Sequence, residues 1–210
     1  MSRAPLYVKI CGITRVEDAL SAVQLGATAI GLNFVPTSKR RVDLARAREI
    51  ADSVRGKVEL VGVVADMPVA EMRALRDDLA LDFLQLHGNE DDAVVNEMLP
   101  NAFKAVRIGD AEDARLAEDV PGDRILADAK VDGALGGTGK TLDWALVRRL
   151  AEEHKVLLAG GLTPKNVALA VNLVRPFGVD VASGVESSPG VKDPALVTSF
   201  IEAARAGATR

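Results

Sequence analysis

A closed (β/α)8 TIM barrel is the fold class this sequence predicts, and three observations predict it. Short apolar runs alternate with 3.6-period segments along the chain, giving eight strand-then-helix units with short connections. No Ser/Gly-rich or charge-rich stretch interrupts them, so residues 1–210 read as a single barrel domain of ordinary size. The glycine-rich turns fall late, after the sixth, seventh and eighth runs. An open doubly wound sheet, the alternative, ordinarily uses fewer strands and places its glycine-rich loop after the first.

The first unit pairs a strand over Leu6–Gly12 with a helix opened by a Thr14/Glu17 capping box. Its expected apolar face is Val16, Ala19, Leu20 and Val23, and Gly26 marks its end. The second strand, Ala29–Phe34, leads through the basic loop Pro36-Thr37-Ser38-Lys39-Arg40-Arg41 to a helix from about Asp43 to Val54. The third strand, Val58–Ala65, precedes a helix with Pro68 near its first turn. The fourth, Phe83–His87, runs into the acidic helix start Glu90-Asp91-Asp92, which suits the positive end of a helix dipole. The fifth is Phe103–Ile108, with a helix from about Asp110.

The sixth strand, Arg124–Asp128, opens the longest loop, which holds Gly136-Gly137-Thr138-Gly139 and ends at a helix beginning near Leu142. The seventh, Val156–Ala159, meets Gly160-Gly161, and Thr163-Pro164 supplies an N-cap with proline at the first helical position. The eighth, Val179–Ser183, is followed by a Gly/Pro-rich turn and a final helix capped at Asp193-Pro194. That helix carries Leu196, Val197, Phe200, Ile201 and Ala204 on one face.

Composition narrows the function classes. Apolar residues make up 48% of the chain and aromatics only 3%, so the core must be filled by Val, Leu, Ile and Ala, as suits a parallel sheet under helices. A net charge of −4 with scattered basic residues carries no electrostatic footprint for nucleic acid. No run approaches the roughly 18 apolar residues of a membrane span. One cysteine forms no internal disulfide, and the first residues lack an apolar signal segment, so a cytoplasmic setting is expected.

In a barrel the site is built at the C-terminal ends of the strands, where residues two apart share a face. Lys9 and Cys11 therefore point the same way, as do Gln85 and His87. A charge at a strand end is unsuited to the packed helix layer, which assigns Lys9, Cys11, Asp128 and Asp180 to the interior or its rim. Taken alone, Cys11 reads as a small core hydrophobe and Asp128 as a structural carboxylate tied to backbone or to Lys9. Together they place two candidate proton carriers at the mouth of one barrel. Cys11 acts as a base only where the site favours its thiolate, and Lys9 is one candidate cause.

Gly160-Gly161 and Ser183-Gly184 sit where barrels commonly bind phosphate through main-chain N–H groups, and glycine lets the backbone approach the oxygens. Ordinary turn chemistry explains one such pair; two on adjacent strands favour a phosphorylated ligand. Arg40 has the fork to clamp a carboxylate. His87 reads as a hydrogen-bonding wall of the cavity. With only two histidines in the chain, no metal centre is expected.

These residues belong to a longer set: Val8-Lys9-Ile10-Cys11-Gly12-Ile13-Thr14, Phe34-Val35-Pro36-Thr37-Ser38-Lys39-Arg40, Gln85-Leu86-His87-Gly88, Ile125-Leu126-Ala127-Asp128, Gly136-Gly137-Thr138-Gly139-Lys140-Thr141, Leu158-Ala159-Gly160-Gly161-Leu162 and Val179-Asp180-Val181-Ala182-Ser183-Gly184-Val185-Glu186. In this set and order the chain resembles the phosphoribosylanthranilate isomerases of tryptophan biosynthesis. The resemblance implies an Amadori rearrangement of N-(5-phosphoribosyl)anthranilate without cofactor or metal, by a monomeric enzyme as relatives often are. It implies Asp128 as general acid, Cys11 as general base, and Arg40 on the anthranilate carboxylate with Asp180 nearby. The strand-seven and strand-eight turns would hold the phosphate. Asn33, Ala127 and Leu142 depart from the residues usual in that family, which bears on substrate fit rather than on the reaction. Related barrels such as indole-glycerol-phosphate synthase would bring an N-terminal extension, and ProFAR isomerase an aspartate where Cys11 stands.

Overall fold

A computed structural model describes residues 5–129 and 144–208. The loop carrying Gly136 to Thr141, and the helix start expected near Leu142, lie outside the described residues. Eight parallel strands close in sequence order: β1 Tyr7–Cys11, β2 Ala29–Asn33, β3 Glu59–Val64, β4 Phe83–Leu86, β5 Ala102–Ile108, β6 Arg124–Ala129, β7 Lys155–Ala159 and β8 Gly178–Val181, with β8 pairing back onto β1. Closure leaves the barrel sheet itself without an edge strand. The covering helices are α1 Val16–Gln24, α2 Leu44–Val54, α3 Val69–Leu79, α4 Asp92–Met98, α5 Ala111–Glu118, α6 Trp144–Glu153, α7 Val167–Val174 and α8 Pro194–Ala208. The predicted barrel is the observed one.

Strand alternation sorts the core into two layers. One parity (Val8, Ile10, Ile30, Leu32, Leu84, Leu86, Ile125, Ala127) packs outward against the helices. The other (Tyr7, Ala29, Val61, Phe103, Leu126, Leu157, Ala159) fills the barrel interior. At the N-terminal end of the strands the Arg124 guanidinium lies 4.2 to 5.7 Å from the ring centres of Phe83, Tyr7, Phe177 and Phe103, and donates to Glu59 at 2.8 Å. Tyr7 donates its hydroxyl to the same carboxylate. This cation–π and ionic plug fills the lower barrel.

Several helix starts follow the expected chemistry. Asp43, Asp91 and Asp110 cap α2, α4 and α5 by accepting main-chain N–H bonds, and Asp193 does the same for Ala195 and Leu196 in α8. Two do not. Helix α1 has Arg15 at its N-cap with no side-chain cap, and the expected Thr14/Glu17 box is not made. Thr14 donates instead to the Gly190 carbonyl at 2.5 Å, and Asp18 accepts from the Lys192 main-chain N–H at 3.1 Å. Both contacts reach a hairpin absent from the sequence reading, β9 Glu186–Ser188 with β10 Val191–Lys192. To present Asp18 there, α1 buries Asp18, Ala19 and Ala22, while Leu20, expected on the apolar face, is 37% exposed.

Helix α7 likewise begins at Val167 rather than after Thr163. The carbonyl of Thr163 accepts from Asn166 and Val167 N–H, and Asn166 Oδ1 accepts from Thr163 N–H. Thr163-Pro164 thus opens a turn that precedes the helix. The eighth strand also stops at Val181, two residues early, because Ser183–Val185 turn into a short 3-10 helix.

Candidate active site

The C-terminal mouth of the barrel encloses a cavity of about 390 Å³. Nine of the residues singled out from the sequence line it: Cys11 from β1, Arg40 from the loop after β2, His87 just past β4, Asp128 from β6, Gly160 and Gly161 after β7, Asp180 from β8, and Ser183 and Gly184 beyond it. Alternation explains the convergence, since each lies on the interior parity of its strand or in the loop that follows.

Beneath the cavity floor Lys9 is fully buried. It stands beside Asp180 in the β1/β8 register, and its ammonium donates to Asp180 Oδ1 at 2.8 Å and to Gln85 Oε1 at 2.8 Å. The carboxylate partner of Lys9 is therefore Asp180, and Asp128 is not tied to it. Burial works against the Lys9 charge, but Asp180 and Cys11 outweigh it, and the ammonium is held above its ordinary range.

Cys11 is buried and free. Burial pushes its thiol up; Lys9 and Lys192 pull it down, Asp180 opposes them, and burial prevails. Lys9 alone does not make a resting thiolate. Gly31, beside Cys11 on β2, has to be glycine, because a Cβ there would sit 2.7 Å from the Cys11 sulfur.

Arg40 is already engaged. Its Nε and Nη2 donate to Glu186 Oε1 and Oε2 at 2.7 and 2.6 Å, a bidentate pair that leaves its remaining N–H groups for a ligand. Glu186 also accepts from Lys192 at 2.8 Å, and Lys192 donates to the Ala182 carbonyl at 2.9 Å. Burial raises the Glu186 carboxyl, but the bonds from Arg40 and Lys192 prevail and hold it below the usual range. Burial lowers Lys192, against the pull of Glu186. Sequence reading quoted Glu186 without giving it a role and passed over Lys192, since only the β9–β10 turn brings them to Arg40.

At the far wall Gly160 and Gly161 adopt φ of 93° and 61°, the left-handed region that favours glycine. Gly184 approaches so closely that a Cβ would lie 1.9 Å from the Leu162 carbonyl oxygen. The two turns are thus packed together as one main-chain surface. Among the described residues no group of three His, Cys, Asp or Glu side chains is placed to hold a metal ion.

A closed barrel with a polar, acid- and thiol-bearing cavity at its C-terminal mouth defines a (β/α)8-barrel enzyme. Residues 8–203 match the sequence profile of the family described as N-(5'phosphoribosyl)anthranilate (PRA) isomerase. An N-(5'-phosphoribosyl)anthranilate isomerase of Rubrobacter xylanophilus is 42% identical over 202 residues, covering 94% of this chain and 98% of the relative. The crystal structure of phosphoribosyl anthranilate isomerase from Thermotoga maritima superposes with a TM-score of 0.85 at 38% identity, covering 95% of this chain and 98% of that one. A phosphoribosyl anthranilate isomerase solved in complex with reduced 1-(o-carboxyphenylamino)-1-deoxyribulose 5-phosphate gives 0.85 at 35% identity with the same coverage. The chain belongs to the N-(5'-phosphoribosyl)anthranilate isomerase family and is an isomerase of tryptophan biosynthesis.

Proposed function

We propose that this chain carries out its isomerisation by acid–base catalysis between Asp128 and Cys11. Asp128 donates a proton to the ribose ring oxygen, the C1–O bond breaks, and the anthranilate nitrogen lone pair forms the protonated Schiff base. Cys11, as thiolate, takes the proton from C2; the electron pair moves to give a neutral enolamine, which tautomerises to the 1-deoxyribulose product. The positive Schiff base beside Cys11 favours the thiolate over the thiol, whose own proton leaves to water at the open mouth before C2 is deprotonated.

The observation carrying this reading is that a carboxyl from β6 and a thiol from β1 line one sugar-sized cavity. Arg40 binds the anthranilate carboxylate through the donors that Glu186 leaves, with Asp180 fixing the floor beside it and His87 forming a wall. Main-chain N–H groups of Gly160, Gly161, Ser183 and Gly184 hold the phosphate, supported by the close approach of the two turns. Anchoring both anionic ends sets the sugar between acid and base. No cofactor or metal enters this scheme.

Turnover of freshly made phosphoribosylanthranilate, followed by loss of its fluorescence, tests the scheme. Cys11→Ala and Asp128→Asn are each expected to lower kcat by about 10²–10⁴-fold. Full activity in both variants would end it.

The chain acts as one domain over residues 1–210, supported by β8 closing on β1. A cytoplasmic, monomeric enzyme is supported by its single free thiol and by the spread of exposed large apolar side chains over four helices, Leu20 on α1, Leu44 on α2, Leu116 on α5, and Leu169 with Leu173 on α7.

A further inference from the structure

The hydrogen bonds under the cavity floor form a chain whose direction is set by a group that only donates. Lys9 Nζ lies 2.8 Å from Gln85 Oε1, with its charge held by Asp180. An ammonium has no acceptor, so the Gln85 atom facing it must be the carbonyl oxygen. The amide is thereby oriented, and its NH2 lies 2.8 Å from His87 Nδ1. An amide NH2 also only donates, so Nδ1 must offer its lone pair, and the proton of the ring sits on Nε2. A second proton on Nδ1 would set two N–H groups against each other across that gap.

We propose that the buried series Asp180, Lys9 and Gln85 locks His87 as the neutral Nε2–H tautomer, so that the ring meets substrate as a hydrogen-bond donor to a sugar oxygen and carries no proton in the reaction. Lys9 and Gln85 are then positioning residues. The charges facing His87 agree. Burial lowers it, Asp128 on β6 and Asp180 on β8 raise it, Lys9 on β1 and Lys104 on β5 lower it, and the balance is downward. A neutral donor beside Asp128 also keeps the proton inventory of the cavity with Asp128 and Cys11. The tautomer belongs to the free protein; the donor role rests on the isomerase reading above.

The chain has only two histidines, so long-range ¹H–¹⁵N spectra of protein labelled with ¹⁵N-histidine report both, and His154→Gln assigns them. The expected His87 spectrum has a pyridine-type Nδ1 and a pyrrole-type Nε2, unchanged as pH falls through about 6.5, where an ordinary imidazole titrates. In Gln85→Glu the new carboxylate accepts from Lys9 and from the ring alike, so Nδ1 should gain a proton and the midpoint should rise by about one unit or more. The proposal is overturned by a pyrrole-type Nδ1 in the wild type or by a wild-type midpoint at or above 6.5. It is equally overturned by a folded Gln85→Glu protein whose His87 signals do not move. Should that variant fail to fold, the wild-type spectrum decides alone. No substrate is present, so a negative result leaves the turnover test of Cys11 and Asp128 standing on its own.

Discussion

Asp180 and Asp128 look equivalent in the sequence, each an acid on the interior parity of a strand, yet the barrel gives them different surroundings. Asp180 is bound to a fully buried ammonium that is itself bound to Gln85. Asp128 lines the open cavity next to His87. The first is committed to a buried ion pair, and the second faces the cavity. Cys11 shows a similar division, because its thiol is raised by burial more than Lys9 lowers it. Alkylation of this single cysteine by iodoacetamide should therefore reach half its limiting rate at a pH above the ordinary thiol value of about 8.5. The sign follows from the reactive form being the thiolate: a raised thiol moves the midpoint upward. A midpoint near 7 would mean that the ammonium dominates. At this scale the sequence showed which side chains face inward, because alternation is local; it did not show which cation pairs with which carboxylate.

Among the elements, the β9–β10 hairpin is the one with no sequence signal beyond a Gly/Pro-rich turn, and it rearranges its neighbours. It takes Thr14 from its expected place capping α1, engages Asp18, and carries Glu186 and Lys192 to Arg40. A local capping motif competes here with tertiary acceptors, and the tertiary contacts prevail. Thr14→Val should therefore loosen the hairpin and spare the helix. Removing one hydrogen bond, worth about 0.5–1.5 kcal/mol, should speed amide exchange at Val191 and its neighbours roughly several-fold, with exchange in α1 unchanged. Faster exchange at the start of α1 alone would restore the capping box. The strands and the Asp-capped helices were legible because their determinants lie within a few residues; the start of α1 was not, because the bond that moves it comes from a distant hairpin, and at α7 a local turn closed by Asn166 competes with the expected Thr163-Pro164 cap.

Taken as a whole, the molecule spends the two ends of its barrel differently. The lower end is plugged by Arg124 among four of the chain's seven aromatic rings, while the upper end keeps its polar side chains around a cavity. Among the described residues the exposed large apolar side chains are spread over several helices, with Leu169 and Leu173 together on α7, so light scattering should give the mass of one chain across micromolar concentrations; a mass of two chains would show that two copies pair. By itself the sequence determined the eight-unit repeat, the inward parity of Lys9, Cys11, Asp128 and Asp180, and the late position of the glycine turns, since periodicity and turn chemistry act between near neighbours. Only closure of β8 onto β1 decided that Lys9 holds Asp180 and Gln85, and only the hairpin decided that Arg40 is held by Glu186. Those pairings join residues far apart along the chain, and a pattern read along the chain carries no information about which distant charges the fold will set side by side.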